Sequence, residues 1–275
     1  FTSEPTTAFS LARRATMVID THVHVFAEDQ SRFPYHQNAS FRPPPAPIEE
    51  YIERMEEMSI DRAVLVHPEP YQSDHRYLLY CLEKYPELLK GTCLFDPESP
   101  DSPRALRELA QKQPRIVALR IHAYRPDKIP SILSAPVRTL WQRAGALGLV
   151  IQTHIVPRYA RDVEELVRAY ADINVLIDHL GRPAQGNEEE YKYVLRLAQF
   201  DNVYMKLSGV RYISKEPFPH QDAKPLVRQV VETFGSDRMI WGGGNPAIVD
   251  ALLDFLPESE RKKVLGDTAA KLFGF

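Results

Sequence analysis

The chain has 275 residues, 44% of them hydrophobic and 26% charged, which is enough apolar side chain to bury one large core or two small ones. A formal net charge of −3 offers no field that would draw in nucleic acid or an anionic membrane surface, and no apolar run is long enough to span a bilayer. Cys81 and Cys93 are too few for a disulfide framework and sit in apolar patterns, where they read as small core side chains.

Residues 1–16 are polar and without period, and no signal-type apolar segment follows Arg13-Arg14. They are expected to form a poorly ordered N-terminal extension, with Met17 as a natural start, one domain over 17–275 and a cytoplasmic location. From there, strand-like runs over 18–26, 63–69, 91–96, 117–123, 150–156, 174–180, 203–208 and 239–243 alternate with helical periodicities. The helical stretches are 48–58, 75–85, 103–112, 137–147, 160–170, 188–200, 223–234 and 247–256. The strands are rich in Val, Ile and Leu with little polar alternation, as parallel strands covered on both faces are. About eight such units in roughly 250 residues predict an α/β fold, a distorted single-domain TIM (β/α)8 barrel. An open doubly wound sheet is the alternative, weakened by the lack of a glycine-rich turn after the first strand.

In a barrel, chemistry gathers at the C-terminal ends of the strands. His22 and His24, two residues apart in the first strand, point to one side and present two imidazoles to one spot. With His154, at the end of the fifth strand, they would suffice to hold a divalent metal such as zinc with a bound water. A strand-end residue satisfied by its neighbours is the other reading of His154. His67 and His122 read as structural or substrate-contacting, and His36, His75 and His220 as solvated. Asp20, one step below His22, is placed as a supporting group. Asp178, of opposite parity to His179, is expected to point toward the helices. Arg120, Arg158, Arg182, Lys206 and Arg211 surround the same mouth, which suits a substrate bearing a carboxylate.

Longer segments carry a family likeness. Ile19-Asp20-Thr21-His22-Val23-His24, Leu119-Arg120-Ile121-His122, Gln152-Thr153-His154, Asp178-His179-Leu180-Gly181-Arg182-Pro183 and Lys206-Leu207-Ser208-Gly209 are the pieces, joined by the C-terminal segment over 265–274. From Met17 onward the chain resembles the amidohydrolase-related proteins. The likeness is strongest to the branch that holds 2-pyrone-4,6-dicarboxylate lactonase and sugar-lactone hydrolases. The resemblance implies a TIM barrel that hydrolyses an ester-like bond, often in a lactone. Some members hold zinc through first- and fifth-strand histidines and an eighth-strand aspartate, whereas the pyrone-dicarboxylate type works without metal.

Carried over by position, His22, His24 and His154 are the ligand or carbonyl-polarising set, and His179 touches substrate or water. The expected site is thus His22, His24 and His179 for catalysis and Arg120, His122, Lys206 and Arg211 for substrate. Zinc on His22, His24 and His154 and a metal-free mechanism both stay open. One departure stands out: in Trp241-Gly242-Gly243-Gly244-Asn245-Pro246, Gly244 occupies the place of the family's aspartate. Another base (His179 first), a binding-only relative, or an inactivating replacement would each account for it. Metal-dependent decarboxylation is a further alternative. A small anionic molecule is the expected partner, with no nucleic acid or membrane, and a homo-oligomer is compatible.

Overall fold

Eight short segments dominated by Val, Ile and Leu each become a strand in the computed structural model, which describes residues 16–123 and 131–275. The expected N-terminal extension lies outside these residues, Thr16 excepted. The order is β1 (Ile19–Val23), α1 (Ile48–Met58), β2 (Arg62–Val66), α2 (Arg76–Lys84), β3 (Leu89–Leu94) and α3 (Ser102–Lys112). It continues with β4 (Ile116–Ala123), α4 (Ala135–Ala146), β5 (Val150–Ile155), α5 (Ala160–Ala169), β6 (Val175–Ile177) and α6 (Glu188–Arg196). Last come β7 (Val203–Leu207), α7 (Lys224–Phe234), β8 (Met239–Trp241), α8 (Ala247–Leu252), α9 (Glu258–Lys262) and α10 (Thr268–Phe273). Helix α1 runs over the residues its periodicity predicted, and it stops at Ser59, whose left-handed backbone (φ 57°) ends the helix. The start of α6 is set by Asn187, which accepts the Glu190 N–H while the Glu190 side chain accepts the Asn187 N–H.

All eight strands are parallel and pair in chain order, forming the predicted (β/α)8 barrel. The distortion lies at the seam. Among the described residues no strand pairing joins β8 to β1. Two hydrogen bonds bridge the gap instead: Thr21 Oγ1 donates to the Trp241 carbonyl at 2.6 Å, and the Gly243 N–H donates to Asp20 Oδ1 at 2.6 Å. Gly242 makes this approach feasible, because a Cβ there would lie 2.6 Å from Thr21 Oγ1.

The barrel interior is layered with period two along each strand. The lowest layer is apolar, with Ile19, Val64, Ala118, Val150, Leu176 and Ile240 closed from below by Ala269 and Phe273 of α10. The helical periodicities did not extend to the two C-terminal helices, of which α10 plugs the barrel. Two residues further up, Arg120, Gln152 and Asp178 replace Ala118, Val150 and Leu176, and Lys206 stands two above Tyr204. One more step reaches His122, His154 and Ser208 at the mouth. Strand β1 departs from the rule. Ile19 lies in the lowest layer and His22, three residues on, lies at the mouth, the difference being absorbed by a register shift between Asp20 and Val23.

Candidate active site

The middle layer is a buried ionic network centred on Asp178. Arg120 reaches it with Nε at 2.9 Å and a terminal nitrogen at 2.8 Å, a forked pair, and Lys206 Nζ lies 3.1 Å from Oδ1. Gln152 Nε2 donates to both carboxylate oxygens, and its Oε1 accepts from Thr92 Oγ1 at 3.1 Å. Lys206 also donates to the Thr21 carbonyl at 2.9 Å, tying the network to the β1 seam. Burial by itself would raise the Asp178 carboxyl, but the Lys206 ammonium and Arg120 guanidinium outweigh it and hold the group well below the usual carboxylate range.

Above this layer five imidazoles form an arc, His24, His22, His179, His154 and His122, with successive ring centroids 4.9, 4.5, 5.0 and 5.5 Å apart. All five line a cavity of about 690 Å³, together with Arg120, Arg182 and Arg211. His24 Nδ1 donates to the Val66 carbonyl at 2.7 Å. His179 Nδ1 lies 2.8 Å from Ser208 Oγ. The two nitrogens of His154 face Arg120 at 3.2 Å and Arg182 at 2.8 Å. Burial lowers the pKa of four of these rings, and the cations below reinforce it: His24 is pushed down to about 4, mainly by burial and then Arg120. His179 falls to about 3 by burial, against the raising effect of Asp178. His22 and His154 are likewise lowered well below the ordinary histidine value. His22, His24, His154 and His179 are thus held neutral over a positively charged floor.

Among the described residues one group offers three metal-competent donor atoms within 4.8 Å of one another: His22, Asp178 and His179. It shares only His22 with the predicted set: His24, which bonds the Val66 carbonyl through Nδ1, lies outside the group, and His154 is flanked by two guanidiniums. The charge balance of the observed group does not fit a divalent ion. Its single carboxylate already serves Arg120 and Lys206, and the Lys206 ammonium lies 3.4 Å from His22 Nδ1. A doubly charged ion would join these cations at a carboxylate that two of them already share. Gly244 supplies no donor, so no step below passes through a metal.

Several placements differ from the sequence reading. Asp178 points into the barrel, because it stands two residues above axial Leu176, and His179 reaches the mouth only by turning to a left-handed backbone at φ 55°. Lys206 is fully buried beneath the mouth, and Arg120, though it lines the cavity, is committed to Asp178. His75 is buried, not solvated: its Nε2 accepts the Leu94 N–H at 3.2 Å and its ring packs 4.3 Å from His67. His36 is exposed as expected, whereas half-buried His220 lines the cavity. Asp20 does act as a support, accepting from the backbone of His22 and Gly243 and from the Tyr51 hydroxyl. Gln152 and Thr92 were missed, and Ser208, legible at its strand end, had no assigned role. Counting by twos from the apolar layer would have found Gln152.

With the geometry in hand, comparison with known proteins places the chain. The family model described as Amidohydrolase matches residues 19–275. A 4-sulfomuconolactone hydrolase from Hydrogenophaga intermedia is 28% identical over 274 residues, covering 93% of this chain and 88% of the relative. A Pseudomonas putida structure described as a candidate 2-pyrone-4,6-dicarboxylic acid hydrolase is 25% identical with a TM-score of 0.77, covering 94% and 98% of the two chains. A zinc-bound amidohydrolase structure from Burkholderia multivorans shares the fold, with a TM-score of 0.74 at 15% identity and coverage of 94% and 99%. This chain belongs to the amidohydrolase family.

Proposed function

We propose that this hydrolase opens a lactone bearing a carboxylate or comparable anionic group, by attack of water and without a resident metal. The observation that carries the reading is His179, held through Nδ1 by Ser208 at 2.8 Å in a cavity that it shares with Arg182 and Arg211. Two relatives are named for acidic cyclic esters, a sulfomuconolactone and a pyrone dicarboxylic acid, which supports the same substrate class.

The substrate anion pairs with Arg211 and Arg182, with His122 beside them at the mouth. With Nδ1–H directed at Ser208, His179 Nε2 accepts a proton from water as the water oxygen bonds to the lactone carbonyl carbon. The resulting oxyanion faces the positive floor and the Arg182 guanidinium, with His22 and His24 adjacent. Collapse breaks the ring C–O bond, and the proton on His179 passes to the departing ring oxygen, leaving a hydroxy acid. Arg120 and Lys206 stay on Asp178 and act as fixed charge. The substrate's own negative charge offsets this field and restores basicity to the imidazole, so the anion both binds and activates. We place the enzyme in the cytoplasm, where the free, buried thiols of Cys81 and Cys93 suit a reducing environment.

The test is proton release from a panel of lactones with and without a carboxylate. Turnover is expected only for the carboxylated members. His179→Gln should lower kcat by about 10²–10⁴-fold and Ser208→Ala by about tenfold. Absence of turnover across the carboxylated panel, or a full rate in His179→Gln, overturns the reading.

A further inference from the structure

Among the described residues three large apolar side chains stand exposed: Phe41 at 49%, Tyr212 at 54% and Phe218 at 50%. All three line the cavity that holds the histidine arc. They come from two separate connections, Phe41 between β1 and α1, and Tyr212 and Phe218 between β7 and α7. Exposed aromatic surface is unfavourable in water, and its confinement to one rim marks a place where a ligand covers it.

Tyr212 ties this rim to the polar floor. Its ring centroid lies 6.4 Å from that of His179, and the Arg211 and Arg182 guanidiniums lie 4.9 and 5.5 Å from it. Its hydroxyl accepts from Arg211 at 2.9 Å. A ligand whose anion meets these arginines therefore lies against the Tyr212 ring, in a cavity that Phe41 and Phe218 also line. The cavity volume, about 690 Å³, falls in the range that takes drug-sized ligands.

We infer that the site takes an anionic lactone carrying a planar apolar substituent, an aryl ring or conjugated chain, which Phe41, Tyr212 and Phe218 cover. The inference rests on the lactonase reading for the reactive end of the ligand and goes beyond it for the other end. Stacked or edge-on rings add favourable contact beyond area burial, so an aryl group is preferred over an alkyl group of the same charge.

The test compares two carboxylates by calorimetry, cinnamate and crotonate, in which a phenyl replaces a methyl, alongside hydrolysis of a phenyl- and a methyl-substituted carboxylated lactone. Cinnamate is expected to bind at least about tenfold more tightly than crotonate, and Phe41→Ala and Phe218→Ala should each shrink that ratio by about fivefold. Phe41→Leu, which keeps the site apolar without a ring, should shrink it less. Selective binding of cinnamate with no lactone turnover would keep the rim assignment and sink the lactonase reading. Turnover of both lactones with equal kcat/KM and equal affinity for both carboxylates would do the reverse. A change in oligomeric state in Phe41→Ala or Phe218→Ala with the cinnamate-to-crotonate ratio intact would assign the rim to a subunit contact and overturn the inference.

Discussion

Lys206 and Asp178 meet inside the barrel, ammonium to carboxylate at 3.1 Å, with neither side chain exposed to solvent. A buried pair of this kind costs desolvation and returns it only while both members are present. The pair connects two halves of the molecule, since Lys206 also holds the β1 backbone at Thr21, and Asp178 also holds Arg120 and Gln152.

Asp178→Asn leaves the Lys206 and Arg120 charges without their counter-ion. We expect a loss of about 3–5 kcal/mol, measured by chemical denaturation at pH 7. Because the carboxyl is depressed in the fold, its contribution is complete above the unfolded value near pH 3.9 and is lost as pH falls through the lower folded value. A stability close to that of the parent at pH 7 would show that the pair is not integral to the barrel.

The histidines act in a different pH window and with the opposite origin. His24 at about 4 and His179 at about 3 lie below the unfolded value near 6.5, so the unfolded chain binds more protons between these limits. Stability should therefore decline as pH drops from about 7 toward 4, by up to about 1.4 kcal/mol per pH unit for each buried histidine. Unfolding midpoints at pH 7.5, 6.0 and 5.0 measure the slope, and a flat profile would contradict neutral, buried imidazoles.

Arg211 is exposed at the mouth, with its planar guanidinium beside the Tyr212 ring and bonded to the Tyr212 hydroxyl. Replacing it with Met should raise KM for a carboxylated lactone by about 10–100-fold with a smaller change in kcat, as removal of a charged hydrogen bond does. Added salt should raise the parent's KM and have less effect on the variant's. Equal salt dependence in the two proteins would remove Arg211 from the binding of the anion.

Two glycines of the β8 connection, Gly242 and Gly244, should respond differently. An added Cβ at Gly242 meets Thr21 Oγ1 at 2.6 Å and the His22 backbone nitrogen at 2.8 Å, so Gly242→Ala should cost more than about 3 kcal/mol by opening the seam. At Gly244 nothing lies within 4 Å and only the backbone, at φ +95°, is strained, so Gly244→Ala should cost about 1–3 kcal/mol. Thermal unfolding of the two variants ranks them, and the reverse order would show that the seam is not closed through Gly242.

Metal dependence gives a direct check on the charge argument. Extended dialysis against a chelator should leave turnover and the unfolding midpoint of the parent unchanged, because Asp178 is neutralised by protein cations. Activity lost to the chelator and restored by zinc alone would show that the ion displaces Lys206 or Arg120.

Alternation of apolar strands and amphipathic helices was enough to read the (β/α)8 order from the sequence, because each element's period is local. The histidines at the strand ends were legible for the same reason, since parity along a strand places His122 and His154 together at the mouth. What the chain alone could not decide is where local parity breaks. The register shift in β1 puts both Ile19 and His22 inside, and the left-handed turn at His179 lets two consecutive residues, Asp178 and His179, serve the same site. Charge pairing is also set by packing across strands: Arg120, Asp178 and Lys206 lie far apart in sequence and meet because β4, β6 and β7 bring the same layer to one axis. The sequence determined that the strand-end histidines reach the mouth, and tertiary structure decided that Lys206 lies beneath them in a buried ion network with Asp178 already paired.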